Sequence, residues 1–134
     1  MKKMHICVIF ALRIFLFSAC NLPNAGTTEN VEINLGQSQI FSENEIKEAM
    51  DVVQEKFSIF SGCDLQKLWY DEIFSSGRYD DDETNKITIL SNFYVNENGG
   101  KNGLNPDFDY TDWQWHLVRN SKTSKWVVID WGYG

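Results

Sequence analysis

The chain has 134 residues, a length typical of a single domain, and a formal net charge of −7. Three of its 12 basic residues and none of its 19 acidic residues lie within residues 1–19, which leaves residues 20–134 with a net charge of −10. This balance argues against a nucleic-acid partner and against a basic lipid-binding surface, since both need clustered Lys and Arg.

The first 19 residues have the features of a secretory signal peptide. A basic start, MKK, precedes an apolar segment that is shorter than the roughly 20 residues needed to cross a bilayer. Arg13 interrupts this segment, which further disfavours a permanent transmembrane helix. Ser18 and Ala19 are small, as the residues before a cleavage site must be, and Cys20 follows them.

A cysteine directly after such a site resembles the lipobox of bacterial lipoproteins. In that family the thiol receives two acyl chains as a diacylglyceryl group, and two chains give stable anchoring. The resemblance implies lipidation of Cys20 and a location on the extracytoplasmic face of the cell membrane. An ordinary secretory signal that happens to precede a cysteine is the alternative.

The region after the leader divides into a tether and a domain. Residues 20–30 are polar, with Asn, Thr, Gly and Pro and almost nothing to bury, and predict a flexible tether. A single domain is expected over residues 31–134. It opens with VEINL, in which Val31, Ile33 and Leu35 alternate as in a short strand.

The sequence FSENEI predicts the start of a long helix. Ser42 as N-cap and Glu45 three residues later form a capping box, and the apolar residues that flank them form a hydrophobic staple. Gly62 marks the expected end, so we predict a helix over about residues 43–61. Its apolar stripe should pack on a sheet. The stripe consists of Ile46, Ala49, Met50, Val53, Phe57 and Phe60.

Four further strands are predicted after the helix. Residues 64–72 suit a strand or a second helix, and the aromatic pair Trp69 and Tyr70 favours the strand. KITILSNFYV, residues 86–95, is β-branched and aromatic and predicts a central strand. Residues 96–112 are rich in Gly, Asn and Asp and predict a long loop. WQWHLVRN and KWVVIDWGYG then form an antiparallel hairpin around SKTS.

Alternation separates two faces in each strand of this hairpin. Trp113 and Trp115 share one face of the first strand, and in the second strand Trp126 is expected opposite Trp131. One tryptophan set should fill the core beneath the helix. The other could line a pocket for a sugar, a lipid or a peptide side chain, with simple core packing as the alternative.

Polar residues on the predicted sheet could contact a ligand. Asp71 or Glu72 beside His116 would form a carboxylate–histidine pair able to act as general acid and base. Asp71 with Arg119 could instead form a cross-strand ion pair. The candidates for ligand contact are Tyr70, Asp71, Glu72, His116, Arg119 and Trp131.

The sequence predicts no cofactor and no metal centre. Cys63 has no Cys or His at ligand spacing, so a buried apolar thiol is expected. Asp107, Asp109 and Asp112 could bind calcium weakly, but the loop lacks the EF-hand pattern and a solvated loop is the main interpretation. Neither a phosphate-binding glycine loop nor a Gly-x-Ser-x-Gly motif occurs.

These elements predict an α+β fold with one long helix packed on a curved antiparallel sheet of four to five strands. The domain resembles small uncharacterised bacterial lipoproteins with a cystatin-like or NTF2-like domain. The resemblance is carried by the capped helix, by GCDLQKLWYDE and by the closing WQWHLVR and WVVIDWGYG. We expect a membrane-anchored, non-enzymatic module that binds an unknown protein or small molecule. A small NTF2-like hydrolase or isomerase and an inhibitor or immunity-like protein are the alternatives.

Overall fold

The computed structural model describes residues 25–79, 82–99 and 103–133. The leader and Cys20 lie outside these residues. The described chain forms an open five-stranded sheet in the order β1-β2-β3-β4-β5, with β1 parallel to β2 and the other pairs antiparallel. The α+β class is therefore confirmed, in a mixed sheet. The elements are β1 (Glu32–Asn34), α1 (Glu43–Phe57), β2 (Cys63–Trp69), α2 (Glu72–Ser76), β3 (Lys86–Val95), β4 (Phe108–Val118) and β5 (Val127–Gly132).

The predicted capping box starts α1. The Ser42 hydroxyl accepts a hydrogen bond from the Glu45 N–H at 3.2 Å, and the Glu45 carboxylate accepts one from the Ser42 N–H at 2.7 Å. The helix ends at Phe57 rather than near residue 61. Beyond it the backbone bonds reach back only three residues, as from the Phe60 N–H to the Phe57 carbonyl at 2.9 Å, so the chain turns out of the helix.

Gly62 closes this turn and lets a loop approach it. Its φ of +73° is in the left-handed region, which a residue with a side chain rarely adopts. A Cβ at this position would lie 2.9 Å from both the Asn96 amide oxygen and the Gly99 Cα. The glycine therefore allows the segment after β3 to pack against the turn after α1.

The core lies between α1 and one face of the sheet. Every residue of the predicted helix stripe is buried, with Ala49, Val53 and Phe57 fully so. From the sheet, Trp115 is fully buried and Trp113 is nearly so, which confirms that these tryptophans share the face beneath the helix. No helix in the three described ranges is long and apolar enough to span a bilayer.

Three strands carry an extra residue that interrupts the regular pairing. Gln66 is the extra residue in β2, Ile129 is the extra residue in β5, and in β4 both Thr111 and Asp112 lie opposite Asn92. Asp112 adopts a φ of +56°, and its N–H donates to the Asn92 side chain at 3.1 Å. Such bulges shift the side chains that follow them to the other face of the sheet.

The bulge in β5 overturns one predicted face. Strict alternation places Trp126 and Trp131 on opposite faces, but both lie on the helix-covered face because Ile129 adds one residue between them. The Trp131 ring lies 5.9 Å from the ring of Phe60 and 5.9 Å from that of Trp115. Trp131 is therefore part of the same aromatic group as the core tryptophans.

The segment after β2 also departs from the prediction. The strand ends at Trp69 instead of continuing to residue 72, and the short helix α2 follows. The Asp71 carboxylate accepts a hydrogen bond from the Phe74 N–H at 3.1 Å and so serves as the N-cap of α2. Asp71 and Glu72 are consequently at a helix start and not on the sheet.

The predicted long loop is shorter than residues 96–112. Strand β4 begins at Phe108, which pairs with Val95, and Asp109 pairs with Tyr94. In FDYTD the alternation of Phe108 and Tyr110 with polar residues is short and is broken at Asp112, where the bulge lies, so the sequence does not show that this part of the chain extends the hairpin with β3.

The start of the described chain is attached to the domain. The Gly26 N–H donates to the Ser58 carbonyl at 3.0 Å and the Thr27 N–H to the Cys63 carbonyl at 2.9 Å. The Thr27 hydroxyl also donates to the Asp64 carboxylate at 2.8 Å. The folded unit thus includes Gly26 and Thr27, which the sequence assigns to the tether.

Candidate functional site

The residues predicted to contact a ligand lie at four separate places. Tyr70, Asp71 and Glu72 lie around the loop between β1 and α1, and His116 lies on the sheet face away from α1. Arg119 lies beside the start of α1, and Trp131 lies near its end.

Glu72 fixes the loop between β1 and α1. Its carboxylate accepts hydrogen bonds from the Ser38 hydroxyl and from the N–H groups of Gln39 at 2.9 Å and Ile40 at 3.3 Å. Burial alone would raise the pKa of Glu72, but these bonds outweigh it and lower that pKa. Burial raises the pKa of Tyr70, whose hydroxyl donates to Glu72 at 3.4 Å, to about 12.

A polar cleft of about 400 Å³ lies beside this carboxylate. The Glu72 oxygens already accept several hydrogen bonds there, and Asp71 is engaged as a helix cap. Both carboxylates therefore stabilise local structure, Glu72 by accepting bonds from the loop and Asp71 by capping α2 through Oδ1. The cleft is lined by Gln37, Ser38, Gln39, Tyr70, Asp71, Glu72 and Ile73.

His116 belongs to a small polar group on the sheet face away from α1. Its Nδ1 lies 3.0 Å from the Thr88 hydroxyl and 3.3 Å from the Tyr79 hydroxyl. The two hydroxyls are themselves 3.0 Å apart. This group holds the segment after α2 against strands β3 and β4.

The charges around His116 differ from the predicted carboxylate–histidine pair. Its partial burial lowers the pKa of His116, and Arg78 lowers it further, while Asp130 opposes both effects. Asp130 is also its cross-strand partner on β5. The carboxylate that acts on His116 is thus that of Asp130, whereas Asp71 and Glu72 are engaged at the start of α2.

Arg119 pairs with a different acid from the one considered in the sequence. Its side chain is only 1% exposed, and one guanidinium nitrogen donates to Glu45 at 2.8 Å and to the Thr84 carbonyl at 2.7 Å. The guanidinium also lies 4.3 Å from the centre of the Trp126 ring. These contacts make Arg119 a structural cross-link, and Asp71 is not its partner.

An aromatic-walled pocket lies where α1 ends. Its volume is about 330 Å³, and we call it the aromatic pocket. The Phe60 ring lies 6.2 Å from that of Trp113 at 87° and 5.9 Å from that of Trp131 at 64°, so three rings enclose the space from different directions. The pocket is lined by Ile59, Phe60, Leu104, Trp113 and Trp131.

Two polar groups lie near the aromatic pocket without facing its space. Trp113 is 8% exposed, and its indole N–H is buried with no hydrogen-bond acceptor among the described residues. The Lys56 ammonium lies 5.4 Å from the centre of the Trp131 ring. The residues that line the pocket are therefore apolar or aromatic, with Lys56 outside the lining and the Trp113 N–H buried within the wall.

Sequence analysis identified only part of this pocket. Trp131 is among the predicted ligand contacts, and Phe60 and Trp113 are recognised as apolar residues of the helix and sheet. Ile59 and Leu104 come from a turn and a loop, and no local pattern brings them together. The pocket is formed by the end of α1 and by the bulge in β5, which are features of the folded chain.

The remaining sites considered in the sequence are Cys63 and the acidic residues after β3. Cys63 is buried as predicted, and burial raises the pKa of its thiol to about 11. Asp107 accepts a hydrogen bond from the Tyr94 hydroxyl. No group of three or more His, Cys, Asp or Glu side chains that could hold a metal ion occurs in the part of the chain that the structure describes.

Comparison of the chain with protein-family models, curated proteins and solved structures finds no match. Of the four places occupied by the predicted residues, the aromatic pocket is the one whose lining is apolar and aromatic. Such a lining with few polar groups is the usual character of a small-molecule site.

Proposed function

We propose that this chain is a lipid-anchored extracytoplasmic protein that binds a ligand in the aromatic pocket and does not act as an enzyme. The proposal is carried by the pocket itself, in which Trp131 remains 36% exposed beside the buried Trp113. A tryptophan that is partly exposed at the edge of a cavity provides apolar contact area for a bound molecule. The leader that ends at Cys20 supports the membrane location.

Binding is favoured over catalysis by where the titratable groups lie. The five residues that line the aromatic pocket carry no titratable side chain. Glu72 and His116, which could act as acid or base, lie at other places and are hydrogen bonded to their own neighbours. A reaction by general acid–base chemistry requires such groups within reach of one bound substrate.

The fold supports the family resemblance at the level of architecture. A long helix that covers one face of an open, mostly antiparallel sheet is the arrangement expected for a cystatin-like or NTF2-like domain. The aromatic pocket lies next to the turn that follows α1.

The first test of this function uses 2-naphthamide, a neutral aromatic probe, and the indole N–H signals of the five tryptophans in a ¹H–¹⁵N NMR spectrum. We expect the Trp113 and Trp131 signals to shift on titration and that of Trp69, on β2, to stay unchanged. Trp131→Ala should weaken binding at least tenfold, because it removes one wall of the pocket.

Ile129→Ala is the matched control for this titration. Ile129 is 60% exposed on the same strand and does not line the pocket, so its loss should leave the affinity unchanged. Equal affinities of the Trp131→Ala variant and the unaltered protein would refute the pocket as the binding site, as would unshifted Trp113 and Trp131 signals at millimolar probe.

A further inference from the structure

From its exposed aromatic side chains, we infer that the end of the domain beyond α1 docks on the bilayer, with these side chains among the lipid headgroups. The surface involved, which we call the exposed patch, consists of Ile59, Phe108, Trp131 and Tyr133. This inference rests on the proposed lipid anchor at Cys20, and it adds a direct contact between the folded domain and the membrane.

The exposed patch exists because α1 ends before the sheet does. The helix ends at Phe57, whereas the turn after it, the start of β4 and the end of β5 continue beyond the helix around the aromatic pocket. Phe108 pairs with the buried Val95 on β3, so its side chain is on the core face of the sheet. The apolar face thus extends past the helix, and the side chains at its uncovered end are exposed.

The exposed rings form one continuous group with the buried rings beneath them. The Phe108 ring lies 4.9 Å from that of Tyr110, and the Tyr133 ring lies 6.1 Å from the same ring. The Tyr133 ring also lies 5.2 Å from that of Trp113. Phe108 is 46% exposed and Tyr133 is 60% exposed. An exposed apolar group of this kind marks an interaction surface.

The composition of the exposed patch favours a bilayer as its partner. Tryptophan and tyrosine concentrate where proteins meet lipid headgroups, because each ring combines an apolar body with one polar group. Asp107 and Asp109 flank Phe108, and residues 20–134 carry a net charge of −10, so a zwitterionic surface suits the patch better than an anionic one. The other large apolar side chains exposed in the described ranges are all aliphatic: Ile33, Ile73, Val127 and Ile129.

The chain enters the domain beside the exposed patch. The Gly26 N–H donates to the Ser58 carbonyl at 3.0 Å, and Ser58 directly precedes Ile59. An anchor at Cys20 is therefore connected to this end of the fold by a short segment. Such a tether gives the patch an effective concentration at the membrane on the order of millimolar, so a weak affinity is enough to keep it docked.

The test measures the depth of single side chains in the bilayer by electron paramagnetic resonance of a nitroxide label. The full chain is purified with its acyl chains from a bacterium that expresses it, and is reconstituted in phosphatidylcholine vesicles. Ile59→Cys and Tyr133→Cys place the label in the patch. Ile73→Cys is the matched control, since Ile73 is 88% exposed on α2, beside the loop before α1. Cys63 does not compete for the label, because it is buried and its pKa is raised to about 11.

We expect the labels at positions 59 and 133 to collide more often with oxygen, which dissolves in the bilayer, than with a water-soluble nickel complex. The label at position 73 should show the reverse. Phe108→Asp replaces an aromatic side chain of the patch with a charge and does not alter the pocket lining. In the protein labelled at position 133, it should lower the ratio of docked to undocked domain about tenfold.

Val127→Asp is the matched control for this charge, because Val127 is 56% exposed and lies outside the patch. It should leave the collision rates at position 133 unchanged. Should Phe108→Asp fail to fold, the comparison of positions 59 and 133 with position 73 still decides the question.

The outcomes separate the anchor from the docking surface. Protein whose intact mass lacks two acyl chains overturns the anchor and, with it, the docking. Acylated protein in which positions 59 and 133 behave like position 73 overturns the docking alone. Protection of positions 59 and 133 from both oxygen and the nickel complex also overturns it, since the patch is then covered by protein, such as a second copy of the chain.

Discussion

At the scale of single residues, Arg119 connects three parts of the chain through one buried side chain. It bonds to Glu45 in the first turn of α1 and to the carbonyl of Thr84 before β3, and it stacks on Trp126 before β5. Burial alone would raise the pKa of Glu45, but hydrogen bonds from Ser42 and Arg119 lower it, so the acid remains ionised at neutral pH. Arg119 therefore joins helix and sheet where the helix begins.

Arg119→Met should lower the free energy of unfolding by about 3 kcal/mol, since it leaves buried acceptors without their donor. Glu45→Gln, the control, should cost about 1 kcal/mol, because its amide oxygen still accepts from Arg119 and only the bond from the Ser42 N–H is lost. Urea unfolding followed by tryptophan fluorescence measures both values. A loss below 0.5 kcal/mol for Arg119→Met, about the size of an ordinary surface substitution, would contradict a cross-linking role.

At the scale of secondary-structure elements, the bulge in β5 determines which residues reach the core. Leu117 pairs with Val128 and the preceding His116 pairs with Asp130, so Ile129 has no partner on β4. The extra residue changes the alternation of faces along β5, so that Val128 and Trp131 both point toward α1. The position of Trp131 in the aromatic pocket therefore follows from the extra residue Ile129 in β5.

Deletion of Ile129 should consequently be tolerated. The pairs on both sides of the bulge remain possible, so we expect a folded protein that loses about 1 kcal/mol or less and keeps Trp131 next to Phe60. Deletion of Leu90, in the middle of β3, is the control and should prevent folding, since it moves one side of a central strand out of register. Near-ultraviolet circular dichroism and thermal unfolding distinguish the two results.

The elements with strong local signals are predictable from the sequence. The capping box sets the start of α1, and the β-branched run sets β3 at residues 86–95 as the structure has it. The bulges are not predictable in the same way. The one beside Asp112 depends on a positive φ and on a hydrogen bond to Asn92, a residue on another strand.

The candidate site is less predictable than the fold, for the same physical reason. Trp131 is identified by its residue type, but its face depends on the bulge at Ile129. The sequence identifies Glu72 and His116 as candidate acid–base residues because they titrate. Their hydrogen-bond partners, however, are set by tertiary packing around Ser38 and Thr88. Patterns within a strand or helix do not contain that information.

At the scale of the whole molecule, the proposed anchor and the domain meet at one end of the fold. Gly26 is hydrogen bonded to Ser58, and a Cβ at Gly26 would lie 3.0 Å from the Phe60 carbonyl. Phe60 also lines the aromatic pocket. The chain therefore enters the domain beside the pocket.

Cys20→Ala should abolish lipidation and release the protein from the membrane fraction of a bacterium that expresses the full chain. Cys63→Ala is the matched control and should remain in the membrane fraction, since Cys63 is a buried thiol of the domain. Cell fractionation and intact-mass measurement provide the two readouts. The anchor proposal would be refuted by a Cys20→Ala variant that stays membrane bound, or by wild-type protein that lacks the mass of two acyl chains.

The attachment of Gly26 beside Phe60 has a consequence for how molecules reach this protein. Five residues lie between Cys20 and Gly26, so the six residue steps from one to the other span at most ~22 Å when fully extended. Under the proposed anchoring of Cys20 in the bilayer, so short a connection would keep the cavity mouth close to the headgroups. An amphiphile that has partitioned into the outer leaflet would then arrive by lateral diffusion along the surface, at a local concentration well above that in the surrounding water.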